Sequence, residues 1–87
     1  MKMYELIPTN GRKSFYGKAT VIEKDGWVFL KSYNTIVCGI DSANNFHRFW
    51  NGWSMTTWNH IRSFQNQIDN KKEWDNITIE KLPDFIV

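Results

Sequence analysis

Only one stretch of this chain has the pattern of a long helix, and it sits directly behind an aromatic turn. It is residues 50–68, WNGWSMTTWNHIRSFQNQI. Asn51-Gly52-Trp53 is a turn signal, and Ser54 follows it as an N-cap whose hydroxyl can accept from the backbone N–H of Thr57 or Thr56. Thr57 stands three residues on, where a capping box would need Glu or Gln, so the cap is a single one. Thr57, Ile61, Phe64 and Ile68 recur at spacings of four, three and four, which puts them on one face of a 3.6-residue period. Asn59, Arg62, Ser63 and Asn66 fall on the other side, with Trp58 and His60 at the margins. The helix is expected to end near Asp69-Asn70, Asn70 being available as the next cap. An amphipathic helix of this kind needs a flat apolar surface to lie on.

The residues before it can supply a sheet. Residues 3–7 are a short strand candidate stopped by Pro8, and 9–14 are a polar loop turning at Asn10-Gly11. Residues 15–23 read as a strand with Gly17 as a bulge, and Lys24-Asp25-Gly26 as a hairpin turn. Residues 27–33 return, Asn34 makes a short connection, residues 35–41 form the next strand, and 45–50 the last. Alternation sends Trp27, Phe29 and Lys31 to one face and Val28, Leu30 and Ser32 to the other. It groups Ile36 with Cys38 and Ile40. After the helix, residues 70–76 form a single helical turn carrying Trp74, 77–82 a short strand or extended segment, and Phe85-Ile86-Val87 an apolar tail that docks. The fold class expected is α+β: an antiparallel meander of about four strands, the helix packed on one face, and a short C-terminal helical turn plus extended tail.

With 87 residues the chain is a single compact domain with room for one core. Cys38 is the sole cysteine, so no intrachain disulfide can staple it, and the Cys/His spacing does not match a zinc finger. Five Trp, six Phe and three Tyr compensate, each able to bury roughly 150–250 Å². Not all of them fit inside a domain this small, which leaves some for a surface. Trp27 and Trp50 are assigned to the core, while Trp53 and Trp58 are divided between core and interface, where tryptophan is an effective anchor.

The net charge of +2 is too small for a protein that coats DNA. No apolar run reaches the roughly 18–20 residues of a membrane span, and the first residues do not read as a signal peptide. With a lone thiol, these features point to a reducing cytosol. His47 and His60 are the only histidines, and a helix-margin histidine bonded to the sheet and a half-exposed strand histidine account for both without catalysis. No neighbouring base or orienting group accompanies Cys38. The run at 41–45 lacks the Gly and terminal Glu of a calcium loop, and neither phosphate-binding glycine motif occurs. No enzyme, metal or cofactor is expected. The loop 10–18 interleaves Arg12, Lys13 and Lys18 with Phe15 and Tyr16, a pattern able to grip phosphates and stack bases, and equally that of an ordinary solvated loop.

Four blocks together carry a resemblance: MYEL with KSFYGKA, then LKSYNTIV, then WNGWSMTTWNHIRSF, then KKEW before Leu82-Pro83. In this order the chain resembles the short proteins of unassigned function common in bacteriophages and prophages of Gram-positive bacteria. The resemblance covers most of the chain, implies origin more than activity, and brings no catalytic or binding residues with it. Small phage proteins of this kind often bind and disable a host factor, defence nucleases included, which is an analogy from setting. The function expected is therefore a binding protein that modulates or inhibits a host protein in the bacterial cytosol, with Trp53, Trp58 and His60 as partner-contact candidates. The alternative is a nucleic-acid or nucleotide binder using Arg12, Lys13, Tyr16 and Lys18. Monomer and homodimer both remain open.

Overall fold

The computed structural model describes residues 1–86. Five strands form one antiparallel sheet in sequence order: β1 (Lys2–Glu5), β2 (Ala19–Lys24), β3 (Trp27–Ser32), β4 (Thr35–Ile40) and β5 (Phe46–Arg48). The helix α1 (Met55–Ile68) follows, then single 3-10 turns at Trp74–Asn76 and Asp84–Ile86. This is the α+β meander-plus-helix read from the sequence, with five strands where about four were expected. The short strand candidate at 3–7 is β1, which joins the meander as an exposed edge: all four of its residues are exposed, so it contributes ladder bonds to β2 and no core.

Ser54 caps α1 as anticipated, its Oγ accepting from Thr57 N–H at 3.2 Å. Asp69 ends the helix in a left-handed conformation, with its N–H returning to carbonyls of the last turn. Asn70 adds its own N–H to the Gln65 carbonyl at 3.1 Å, and its Nδ2 donates to the Asn44 carbonyl at 2.8 Å, which ties the helix end to the β4–β5 turn. Ile61 and Phe64 are buried with Val21, Leu30, Val37 and Cys38 in the main core, and Thr57 is buried with its Oγ1 3.0 Å from Ser32 Oγ. Removing Ile61 and Phe64 from water contributes roughly 1.5–3 kcal/mol each. Ser63, expected on the solvent side, is buried instead because the segment after β1 crosses it: Thr9 N–H donates to Ser63 Oγ at 3.0 Å.

Two strand details differ from expectation. The β2 strand begins at Ala19 rather than residue 15, because residues 15–18 close a turn through Lys18 N–H to the Phe15 carbonyl, and Gly17 sits in it at φ +76°. The bulge lies elsewhere. Leu30 faces Cys38 while Lys31 faces Ile36, which leaves Val37 as the additional residue. Both Val37 and Cys38 therefore enter the core, and Ile36 is displaced from the face it was expected to share with Cys38 and Ile40. The Asp25-Gly26 hairpin forms as read, with φ of +53° and +83°.

The opposite face of the sheet is covered as well. Trp27 and Phe29 stack at 5.3 Å, and Phe85 from the C-terminal turn packs 6.0 Å from each. Gly39 makes room for this layer: a Cβ there would lie 2.8 Å from Phe29 Cδ1 and 2.9 Å from the Val28 carbonyl oxygen. The tail reaches this face by crossing the β5 edge. Ile77 packs on the main core, Ile79 makes a parallel bridge to Arg48, and Glu80 N–H donates to the Arg48 carbonyl at 2.7 Å. The segment at 77–82, read as a short strand or extended, is extended with one bridge against the β5 edge. Phe85 docks as expected; Val87, the last residue of that tail, lies outside the described residues.

Candidate functional site

The aromatic corner between β5 and α1 is built on two residues that hold it in place. A Cβ at Gly52 would lie inside the Trp50 indole, so only glycine lets that ring close over the turn. Arg48 is buried and spans the corner from beneath. Its Nε donates to the Trp50 carbonyl at 3.0 Å, its Nη1 to the Trp74 carbonyl at 2.9 Å, and its guanidinium lies 4.4 Å from the Trp74 ring centre. The fork of one arginine therefore fixes the turn before the helix to the loop after it.

Between them lies a cleft. Trp58 forms a wall common to two contiguous hollows. One, of about 180 Å³, is bounded by Trp53, Trp74, Glu73 and Asp75; the other, of about 260 Å³, by Arg62, Lys71, Lys72 and Trp74. Arg62 lies 5.8 Å from the Trp58 ring centre, and Gln65 Nε2 donates to the Lys72 carbonyl at 3.2 Å, fixing the far rim to the helix. Trp53 is 71% exposed and Met55 59%, a large apolar exposure at one corner. Trp58 is half-buried and packs partly on the core.

His60 does not belong to this surface. It is 1% exposed, which corrects its assignment as a partner contact: its ring faces the sheet, with Nδ1 2.8 Å from Ser32 Oγ and Phe15 edge-on at 4.5 Å. Burial lowers its pKa, and the positive charges of Arg12 and Lys18 add to that, so the ring is held neutral.

Those two cations belong to a second surface, above His60. Asn10 Oδ1 accepts from Arg12 N–H and Ser14 Oγ from Tyr16 N–H, shaping the loop, while Phe15 anchors it in the core. Arg12, Lys13, Tyr16 and Lys18 are all exposed. The Lys18 carbonyl accepts from Tyr33 N–H at 2.7 Å and Lys18 Nζ lies 5.9 Å from the Tyr33 ring centre. Tyr33, on the β3–β4 hairpin, was not anticipated as part of this surface. Its place depends on a non-local pairing that spacing does not reveal. Arg48 and Trp74 were missed at the first surface for the same reason.

His47 is held by two carboxylates. Nε2 lies 2.9 Å from Asp41 Oδ2 and Nδ1 2.7 Å from Glu80 Oε2. Burial opposes ionisation, but the bonds to Asp41 and Glu80 outweigh it and raise the pKa, which favours the charged ring as a clamp between tail and sheet. The Asp41 carboxyl, which accepts from His47 and from the N–H groups of Asn45 and Ala43, is lowered to about 2. Both ring nitrogens of His47 are taken, which leaves neither to act as a base. Cys38 is fully buried and its thiol is pushed well above its ordinary pKa by desolvation. Among the described residues no group of His, Cys, Asp and Glu side chains is arranged to hold a metal ion, and no helix is long and apolar enough to cross a membrane.

Residues 3–81 match the model of a family of unknown function, DUF8033, and the chain belongs to that family. No curated protein and no solved structure matches it.

Proposed function

We propose that this domain acts by binding rather than by catalysis, and that it docks a protein of the bacterial host through the Trp53–Trp58 corner. The observation that carries the reading is Trp53, 71% exposed on a turn that Arg48, Gly52 and Ser54 hold rigid. A large aromatic side chain presented on a fixed backbone anchors an interface at small entropic cost. The adjoining cleft has Trp58 and Trp74 as walls and Arg62, Lys71, Lys72, Glu73 and Asp75 on its rim, so aromatic rings stand beside charged margins of both signs.

The setting that the sequence resemblance implies is a phage or prophage, and the role is to modulate or inhibit a host factor in the cytosol, a defence component being one such target. Affinity capture from nuclease-treated host lysate tests this with three baits: the wild-type chain, Trp53→Ala and Trp58→Ala. A protein retained by the first and lost with Trp53→Ala supports the reading. Equal recovery on all three baits overturns it.

A further inference from the structure

The surface above His60 has two exposed tyrosines in a backbone conformation that tyrosine rarely adopts. Tyr16 has φ +56° and Tyr33 φ +55°, in the left-handed region that favours Gly, Asn and Asp. Burial does not account for either: Tyr16 is 75% exposed and Tyr33 47%. Bulky aromatic rings retained on strained backbone and displayed to solvent are the kind of outlier that points to use of the ring itself. The two positions are joined through Lys18, whose carbonyl accepts from Tyr33 N–H at 2.7 Å and whose ammonium lies 5.9 Å from the Tyr33 ring. Arg12 and Lys13 extend the positive charge along the loop, and one carboxylate, Glu5, lies beside Gly17 between Tyr16 and Lys18. The Tyr33 ring also lies 5.9 Å from the buried ring of His60.

We propose that Tyr16, Tyr33, Arg12, Lys13 and Lys18 form a contact site for a single-stranded polynucleotide. The cations take phosphates and the two rings offer stacking faces to unpaired bases. The site is separate from the tryptophan corner and does not depend on the protein-docking reading. A single strand fits better than a duplex because its bases can leave their own stack for the tyrosines, and three cations are few for holding a duplex by phosphates alone. Stacking tolerates any base, so the preference is for single-strandedness rather than sequence.

Fluorescence anisotropy with labelled oligodeoxyuridine and oligouridine of about 15 nucleotides, and a duplex of equal length, tests this with the whole chain. The expected single-strand dissociation constant lies in the range of roughly 1–100 µM seen for non-specific contacts. With about three phosphates neutralised, affinity falls roughly 20-fold between about 50 and 200 mM salt. Tyr16→Asn and Tyr33→Asn remove the ring while suiting the left-handed backbone, so each weakens binding about tenfold, and the more exposed Tyr16→Asn does so with no loss of thermal stability. Trp53→Ala leaves binding unchanged. Unequal affinity for the two oligomers assigns the sugar preference within the same proposal. No binding at about 100 µM wild-type protein in low salt overturns it, as does duplex binding equal to single-strand binding, or full affinity in both tyrosine variants.

Discussion

Arg48 lies 4.4 Å from the centre of the Trp74 ring and donates to the carbonyl of the same residue at 2.9 Å. The contact joins β5, the last strand, to the loop beyond the helix, and the second donor of the fork reaches back to Trp50. A planar, forked cation serves both carbonyls and the ring at once, which an ammonium cannot do. The tryptophan corner thus owes its geometry to a residue that touches none of the exposed rings.

Arg48→Lys therefore leaves at least one buried carbonyl without its donor and removes the stacked plane. Urea denaturation is expected to show a loss of about 2 kcal/mol, the scale of a charged hydrogen bond and an unsatisfied buried partner. A change within about 0.5 kcal/mol would mean that the corner is held by its hydrophobic contacts alone.

Gly39→Ala tests the second apolar layer. The new methyl meets Phe29 and the backbone oxygen of Val28, so the strand as well as the ring must shift. A loss of about 1–3 kcal/mol is expected, as for overpacking elsewhere. If the cost were absent, the Trp27–Phe29–Phe85 layer would be looser than its geometry states.

The two histidines predict opposite limbs in a stability–pH profile. His47 has its pKa raised in the fold, so its contribution is complete below the unfolded value of about 6.5 and is lost as pH rises through the folded one. The pKa of His60 is lowered, so its contribution is complete above about 6.5 and is lost as pH falls through the folded value. Melting temperatures followed across this range should fall on both sides of a maximum near pH 6.5. His47→Gln should flatten the alkaline limb and leave the acid one. Retention of the alkaline limb in that variant would remove His47 from the tail clamp.

Local chemistry in the sequence reached far into this fold. The Ser54 cap, the Asp25-Gly26 hairpin and the Thr57–Ile61–Phe64 stripe each depend on residues within a turn or two, and each appears where the spacing put it. What spacing could not reveal is set by contacts between distant segments. Ser63 reads as polar surface until Thr9 covers it, and Ile36 leaves its expected face because a bulge shifts register at Val37. His60 lies at the margin of the helical stripe, so its burial rests on Ser32 and Phe15, both far away in sequence. The same limit applies to the surfaces: Trp53 and Tyr16 could be singled out, whereas Arg48 beneath one and Tyr33 beside the other required the sheet to bring them in.

Trp53 and Trp58 should separate in their effects on the fold. Trp53 is mostly in solvent, so Trp53→Ala is expected to change stability by less than about 0.5 kcal/mol. Trp58 packs partly on the core, and Trp58→Ala is expected to cost about 1–3 kcal/mol. Thermal melts of the two variants measure this directly, and a large loss from Trp53→Ala would make that ring structural.

The most direct measurement of the docking claim is photo-crosslinking in host cells with p-benzoylphenylalanine in place of Trp53, and with the same group in place of exposed Lys81 as the control. A discrete protein adduct from position 53 that is absent from position 81 is the predicted result. No adduct at position 53, or the same adducts from both positions, would contradict the account.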